Sequence, residues 1–144
     1  LQCIAYDPML SGHALALDGF SVPLLALHDL LSKSDAVSLH LPYLPETKNL
    51  FDGSMLDRMK KGACLVNTAR GGIVDELALA ERLRTGHIGG AAVDVFSSEP
   101  AKDLSHFAGI ENLILTPHIA GVTHESNERV SQMIADEVNR FLGA

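Results

Sequence analysis

Residues 63–72 read ACLVNTARGG, an apolar run of strand length that passes directly into polar residues and two glycines. A continuous apolar run, rather than an alternating one, is typical of a parallel strand that is covered on both faces. Similar runs occur at residues 1–6, 36–41, 89–95 and 112–115. We therefore expect five strands.

Segments of helical length lie between and after these runs, at residues 24–33, 54–60, 75–85 and about 124–142. Ser54 and Asp57 have the spacing of a capping box, and Asp75 and Gly86 suit the two ends of the third segment. Strands that alternate with helices predict an α/β domain with a mainly parallel sheet. The last segment places Val130, Ile134, Val138 and either Phe141 or Leu142 on one face, which we expect to dock on an apolar surface.

Composition excludes several classes of protein. The chain has 144 residues, enough for one domain, and its net charge of −7 argues against a nucleic-acid surface. Apolar residues make up 47% of it, but no run approaches the roughly 18 residues that a membrane helix needs. Cys3 and Cys64 form no CxxC motif, so we expect no disulfide framework, no metal site and a cytoplasmic location.

Ligands of open α/β sheets bind beyond the carboxyl ends of the strands, so we consider the polar residues there. The first run is followed by Asp7 and Pro8. This acid could accept both hydroxyls of an adenosine ribose and repel a 2′-phosphate, or it could only form an Asp-Pro turn. The second run ends in His40, Leu41 and Pro42, where the histidine could face a cofactor or lie hydrogen-bonded in the core.

The third run leads to Arg70, Gly71 and Gly72. A guanidinium at the edge of the sheet could bind a substrate carboxylate through paired hydrogen bonds, and the glycines would let a ligand approach the backbone. Alternatively, Arg70 is a surface residue that pairs with Asp75 or Glu76.

The last two runs contribute Asp94 and, further along, Glu99 and His118. Burying Asp94 would be costly unless a carboxamide or a backbone amide donates to it. If Glu99 and His118 meet, the carboxylate favours the protonated imidazole and fixes its tautomer. A zinc site at His118 and His124 is disfavoured because no cysteine pair precedes them, and the Gly-x-Ser-x-Gly motif of a hydrolase is absent from the sequence.

Four segments carry a resemblance to a known family. They read SDAVSLHLPYLPETKNL (34–50), MKKGACLVNTARGGIVDE (59–76), GAAVDVFSSEP (90–100) and LTPHIAG (115–121). In this order and spacing they resemble the NAD-binding domain of the D-isomer-specific 2-hydroxyacid dehydrogenases, which include phosphoglycerate dehydrogenases and hydroxypyruvate or glyoxylate reductases. The resemblance covers essentially the whole chain.

This resemblance implies a Rossmann-like, doubly wound sheet and hydride transfer between NAD(H) and a small 2-hydroxy or 2-keto acid. It implies that Arg70 binds the substrate carboxylate and polarises its carbonyl, that His118 is the acid–base group and that Glu99 supports it. It makes Asp94 the partner of the nicotinamide carboxamide. The residues implied to bind the cofactor are Asp7, Pro8, His40, Leu41, Pro42, Thr47, Thr68, Ala69, Arg70, Asp94, His118, Ala120 and Gly121.

The phosphate cradle of such domains, Gly-x-Gly-x-x-Gly, does not occur in the sequence and should lie about 20 residues before Asp7. We therefore interpret residues 1–144 as a partial dinucleotide-binding domain that lacks its glycine-rich first βα unit and the substrate domain. We expect its sheet to be incomplete, its NAD binding weak and its activity absent without those parts. Residues 124–143 would dock on the substrate domain or on a partner in a homodimer.

Two other interpretations compete with an enzyme. Some relatives of this family are cofactor-sensing scaffolds that bind protein partners and catalyse nothing, and they can retain the same polar residues. The chain could also be an α/β domain whose polar strand ends are only turns and caps. That interpretation leaves the family order of five polar strand ends to coincidence.

Overall fold

A four-stranded parallel sheet forms the centre of the computed structural model, which describes residues 1–143. Its strands are β3 (Ala36–Leu39), β4 (Ala63–Asn67), β5 (Ile88–Val93) and β6 (Leu113–Leu115), hydrogen-bonded in chain order. The helices are α1 (Leu27–Lys33), α2 (Gly53–Leu56), α3 (Glu76–Arg84) and α4 (His124–Leu142), and Ser105–Phe107 forms one 3₁₀ turn. The predicted α/β class and parallel sheet are confirmed.

The core is built where the strands meet the helices. Leu65 in β4 and Ile88 in β5 are fully buried, as is Leu79 in α3. Burial alternates along β4, however: Ala63, Leu65 and Asn67 are buried, whereas Cys64 is exposed. The expectation that both faces of the sheet are covered is therefore wrong within residues 1–143. β4 has the predicted bounds, whereas the other three strands of the sheet are shorter than the runs that predicted them.

The strand expected at residues 1–6 is wrong. Only Ala5 pairs there, in a single parallel bridge to Leu24, and most of the segment is exposed. A strand needs a neighbour along its length, and within the described residues Ala5 has only the end of a short hairpin beside it. The same bridge explains why α1 begins at Leu27 and not at the expected Leu24, because the amide of Leu25 donates to the carbonyl of Ala5.

The sequence analysis missed that hairpin, which consists of β1 (Ala14–Leu17) and β2 (Phe20–Pro23) in an antiparallel pair. The two residues between the strands are Asp18 and Gly19, and Gly19 has a φ of 83°. An Asp-Gly pair between two short apolar runs is a recognised hairpin signal, so the information was present in the sequence. Within residues 1–143 the hairpin and the parallel sheet share no ladder.

The ends of α2 also differ from the prediction. The helix begins at Gly53, and Asp52 is its cap, because an oxygen of its carboxylate accepts from the amide of Met55 at 2.8 Å. The hydroxyl of Ser54 donates to the same oxygen at 2.9 Å, so the expected capping box of Ser54 and Asp57 does not form. Asp57 instead binds Arg82 on α3.

Helix α4 has its predicted length, with Thr123 as the N-cap and Gly143 in the left-handed conformation after its last turn. Its apolar stripe is exposed: Val130 retains 50% of its accessible surface, Ile134 59% and Val138 49%. The docking partner expected for this stripe is not found within the described residues and stays a prediction. Among those residues, no helix combines the length and apolarity needed to cross a membrane.

We predict that Asp75→Ala lowers the free energy of unfolding by about 0.5–2 kcal/mol, because a carboxylate oxygen of Asp75 accepts from the amide of Ala78 at 3.0 Å and caps α3. Asp75→Asn keeps an acceptor and should lower the free energy of unfolding by only a few tenths of a kcal/mol. Urea denaturation followed by circular dichroism measures both, with Glu81→Ala on the exposed face of α3 as the control. Equal losses in the alanine and asparagine variants would contradict the capping role.

Candidate active site

The carboxyl ends of β4, β5 and β6 are joined by backbone hydrogen bonds beyond the regular ladders. The amide of Asp94 donates to the carbonyl of Asn67 at 3.0 Å, and the amide of His118 donates to the carbonyl of Asp94 at 2.8 Å. The polar segments that follow these three strands therefore lie side by side on one rim of the sheet. This rim is where open α/β sheets place their ligands.

His118 and Glu99 meet on this rim. Nδ1 of His118 lies 2.6 Å from a carboxylate oxygen of Glu99, and the other oxygen accepts from the amide of Phe96 at 3.1 Å. The hydrogen bond with His118, assisted by the Phe96 amide, holds the pKa of Glu99 below its usual value. About half of the His118 side chain is exposed, so the pair faces solvent at the rim.

Asp94 fixes the turn that carries His118. Its carboxylate accepts from the hydroxyl of Thr116 at 2.5 Å and from the amides of Ile119 and Ala120, both at 2.9 Å. Burial would raise the pKa of Asp94, but these three donors outweigh it and leave the pKa below its usual value. The expectation that a donor must compensate this buried acid is confirmed, and the donors are backbone amides and a hydroxyl.

The backbone of His118 is itself unusual. Its φ is 56°, in the left-handed region that few residues other than glycine adopt. Such a conformation persists only where the surroundings hold it, and here the carbonyl of Asp94 binds its amide while the carboxylate binds the next two amides. Asp94 thus determines where the imidazole is presented.

Arg70 is held in a loop organised by Asn67. The buried side chain of Asn67 accepts from the amide of Ala69 at 3.1 Å and donates to the carbonyl of Arg70 at 3.3 Å. Within residues 1–143 the guanidinium forms no ion pair, and its hydrogen bond is to the carbonyl of Ala69 at 2.6 Å. The alternative that paired Arg70 with Asp75 or Glu76 is wrong.

The two glycines after Arg70 have different functions. Gly72 has a φ of 76°, which a larger residue would adopt only with strain. A Cβ at Gly71 would lie 1.7 Å from the carbonyl oxygen of Phe96, so the close approach expected of a ligand is made by the chain's own backbone. This contact packs the Arg70 loop against the turn that carries Glu99.

An open basin of about 640 Å³ lies beside Arg70. The described residues that line it are Tyr43, Lys48, Asn49, Arg70, Gly71, Gly72 and Ser97. Its charged members are both cations, although the chain as a whole carries a charge of −7. Such a basin favours an anionic ligand.

The residues expected around the adenosine end of the cofactor are less organised. Asp7 is exposed and accepts from the amide of Met9 at 2.8 Å, which is the turn given above as the alternative. His40 is exposed, with Nε2 2.8 Å from the hydroxyl of Ser38, so the core-histidine alternative is wrong. The hydroxyl of Thr47 is bonded to the carbonyl of Pro42 and to the backbone of its own loop.

The other expected cofactor residues differ in accessibility. Ala69 is buried and Leu41 is half-buried, while Pro8, Pro42, Thr68, Ala120 and Gly121 are exposed. Thr68, Ala120 and Gly121 follow the carboxyl ends of β4 and β6, on the same rim as Asp94. Asn67 and Thr116, which organise that rim, were missed; their signal is a polar residue directly at the end of a buried strand.

Comparison with known proteins identifies the family to which the chain belongs. Residues 1–120 match the family model described as D-isomer specific 2-hydroxyacid dehydrogenase, NAD binding domain. The chain belongs to this family. It is 52% identical over 143 residues to an (S)-sulfolactate dehydrogenase from Chromohalobacter salexigens, covering 99% of this chain and 46% of that protein. The chain thus spans less than half of that relative's length.

Two solved structures show the same fold. An NAD-dependent formate dehydrogenase from Staphylococcus aureus in complex with NAD superposes with a TM-score of 0.79 and 37% identity, over 98% of this chain and 41% of that one. A D-lactate dehydrogenase from Aquifex aeolicus, complexed with NAD and lactic acid, gives a TM-score of 0.76 and 32% identity, over 96% of this chain and 45% of that one. The Rossmann-like fold is confirmed.

NAD is the cofactor of this domain family, as predicted. Thr68, Ala120 and Gly121 are exposed and follow the strand ends of the rim on which Asp94 lies, which fits the expected place of the nicotinamide end. The oxygen of Asp94 that binds Ala120 accepts that one bond within residues 1–143, and Asp94 itself is buried, with 3% of its surface exposed.

We predict that Asp94→Asn destabilises the protein by about 1–3 kcal/mol at pH 7, because an amide nitrogen would then face a backbone N–H donor. The pKa of Asp94 is lowered in the folded state, so its stabilising effect is present above the unfolded pKa of about 3.9 and is lost as the pH falls through the folded value. Urea denaturation from pH 7 to pH 2 should show the two proteins converging towards low pH. Asp136→Asn, at an exposed position on α4, is the control, and a constant difference at every pH would contradict the prediction.

Proposed function

We propose that the protein containing this chain transfers a hydride between NAD(H) and a small D-2-hydroxy or 2-keto acid, with His118 and Glu99 as the acid–base pair and Arg70 as the binder of the substrate carboxylate. The observation that carries this proposal is the contact of 2.6 Å between His118 and Glu99, on the rim of an NAD-binding domain. The names of the relatives support a small hydroxy acid as substrate, since they include a sulfolactate and a lactate dehydrogenase.

The cofactor supplies or accepts the hydride, and the chain handles the proton. Glu99 lies beside Nδ1 of His118, which leaves Nε2 as the nitrogen that can face a substrate. In the direction of reduction, Nε2 donates its proton to the oxygen of the carbonyl as that oxygen gains charge. In the direction of oxidation, the neutral imidazole accepts the proton of the hydroxyl at the same nitrogen.

Glu99 supports both steps. As a carboxylate, Glu99 accepts a hydrogen bond from the N–H at Nδ1 of His118, so the ring is held in one orientation and one tautomer. Its negative charge stabilises the imidazolium that must exist before a proton is given up. The lowered pKa of Glu99 keeps this charge present through the neutral range.

Arg70 suits the anionic end of the substrate. Its guanidinium forms no ion pair within residues 1–143 and lines a basin whose other charged side chain is Lys48. A guanidinium offers two parallel N–H donors that match a carboxylate, and its charge also stabilises the oxygen of a reacting carbonyl. Arg70 therefore binds the acid group and polarises the adjacent carbonyl.

The exposed stripe of α4 supports an assembly larger than this chain. Its large apolar side chains include Phe141, which is 90% exposed, and a soluble protein rarely leaves such a stripe uncovered. We propose that α4 docks on the substrate domain or on a second copy of the protein, in a homodimer located in the cytoplasm.

We predict that His118→Gln lowers kcat by about two to four orders of magnitude, the usual size of a general acid–base contribution, with NAD affinity little changed. Steady-state assays with NADH and a panel of 2-keto acids measure kcat, and calorimetry measures NAD binding. His28→Gln, at an exposed position on α1, is the matched control. Unchanged turnover in His118→Gln would remove this residue from the mechanism, and no turnover by the unsubstituted full-length protein, with the glycine-rich unit and the substrate domain present, would favour the scaffold interpretation.

We predict that Arg70→Lys lowers kcat/KM for the keto acid about 10- to 100-fold, because lysine keeps the charge but loses the paired donors. The same assays give kcat/KM, and Arg58→Lys at an exposed position is the control. A loss confined to the KM for NADH would instead assign Arg70 to the cofactor.

A further inference from the structure

Glu76 makes an unexpected set of contacts in the first turn of α3. One oxygen of its carboxylate accepts from both the amide of Ser97, at 2.7 Å, and the hydroxyl of Ser97, at 2.5 Å. The side chain of Glu76 is only 16% exposed, whereas Ser97 is an exposed residue. Ser97 lies 21 residues further along the chain.

Ser97 belongs to the turn that presents Glu99. The turn begins at Phe96, whose amide binds one oxygen of Glu99, and the other oxygen of Glu99 contacts His118. Gly71 packs against the carbonyl of Phe96 on one side. Glu76 therefore holds the second residue of a four-residue turn, 96–99, whose first residue donates its amide to Glu99 and whose fourth residue is Glu99 itself.

The second oxygen of Glu76 faces His106, in the 3₁₀ turn. Nε2 of His106 lies 3.2 Å from this oxygen and makes no hydrogen bond within residues 1–143. The His106 ring rests on Phe107, with ring centres 4.3 Å apart, and Arg84 at the end of α3 donates to the carbonyl of His106 at 2.6 Å. The carboxylate is thus oriented from both sides.

We propose that Glu76 is a positioning residue for the reaction: by holding Ser97 it fixes the turn that brings Glu99 to His118. This inference rests on the proposed function. Glu76 itself touches neither Glu99 nor His118 among the hydrogen bonds of the described residues, so its effect passes through Ser97.

Two substitutions of Glu76 distinguish the loss of its hydrogen bonds with Ser97 from the loss of its charge. In Glu76→Gln, the carbonyl oxygen of the amide can accept both donors of Ser97, so the turn keeps its anchor while the charge facing His106 is lost. In Glu76→Ala, both donors of Ser97 lose their partner and the turn is free to shift. A displacement of about 1 Å in a reacting group can cost about 100-fold in rate.

We expect Glu76→Ala to lower kcat about 10- to 100-fold with KM for the keto acid changed less than about twofold, and Glu76→Gln to retain most of kcat. The acidic limb of the pH profile should move to higher pH in Glu76→Ala. In the unsubstituted protein the hydrogen bond with His118 lowers the pKa of Glu99, whereas the charge of Asp94 raises it. When the turn shifts, that hydrogen bond weakens and the effect of Asp94 remains, so the pKa of Glu99 rises. Glu81→Ala on the same helix, whose side chain is 71% exposed, is the control and should behave as the unsubstituted protein.

Ser97→Ala tests the inference if Glu76→Ala fails to fold. It removes the hydroxyl donor and leaves the amide donor, so we expect a smaller loss of kcat, about 2- to 10-fold, and no further loss when Glu76→Gln is added. A kcat and an acidic limb unchanged in Glu76→Ala, or equal losses in the glutamine and alanine variants, would overturn the inference. If kcat falls in His118→Gln but not in these variants, this inference alone is wrong. If the unsubstituted protein shows no turnover, the proposed function is wrong as well.

Discussion

The candidate site depends on one buried carboxylate. Asp94 directly follows β5, is buried and would be costly there without donors, so the segment after β6 folds around it. The amides of Ile119 and Ala120 and the hydroxyl of Thr116 are drawn to its two oxygens. The result is a turn with His118 in a left-handed conformation at its centre. The donors that the buried carboxylate needs thereby determine the position of the imidazole.

The second requirement is that two loops from different strands meet without a gap. Gly71 allows the Arg70 loop to rest directly on the carbonyl of Phe96, where any side chain would collide with the backbone. The turn from Phe96 to Glu99 is consequently held from the Arg70 side as well as by its contact with His118. Arg70, Glu99 and His118 thus share a rigid support, and the roles proposed for them require such a precise geometry.

The sequence predicted what depends on periodicity and missed what depends on competition between neighbours. Residues 63–67 form a strand with the predicted bounds, although burial alternates along it and Cys64 is exposed. At α2, two possible caps stand two residues apart, and only the structure shows that Asp52 accepts and Ser54 donates. The hairpin was signalled by Asp18 and Gly19 but overlooked. Glu76 and Ser97 lie in two separate family segments, residues 59–76 and 90–100, and nothing local in either segment indicates their contact.

The site divides into two parts that differ in how far the described residues assemble them. Arg70, Asp94 and His118 follow β4, β5 and β6, and all three are fixed by bonds within the parallel sheet. Asp7 follows a segment that pairs only with the end of the hairpin, and no ladder joins the hairpin to β3 within residues 1–143. The proposed proton-transfer groups are therefore preorganised on one sheet, while the position of Asp7 depends on whatever fixes the distance between the two sheets. If Asp7 binds the adenosine ribose, as the resemblance implies, the two ends of the dinucleotide have separate supports, and the affinity for the whole cofactor depends on the link between them.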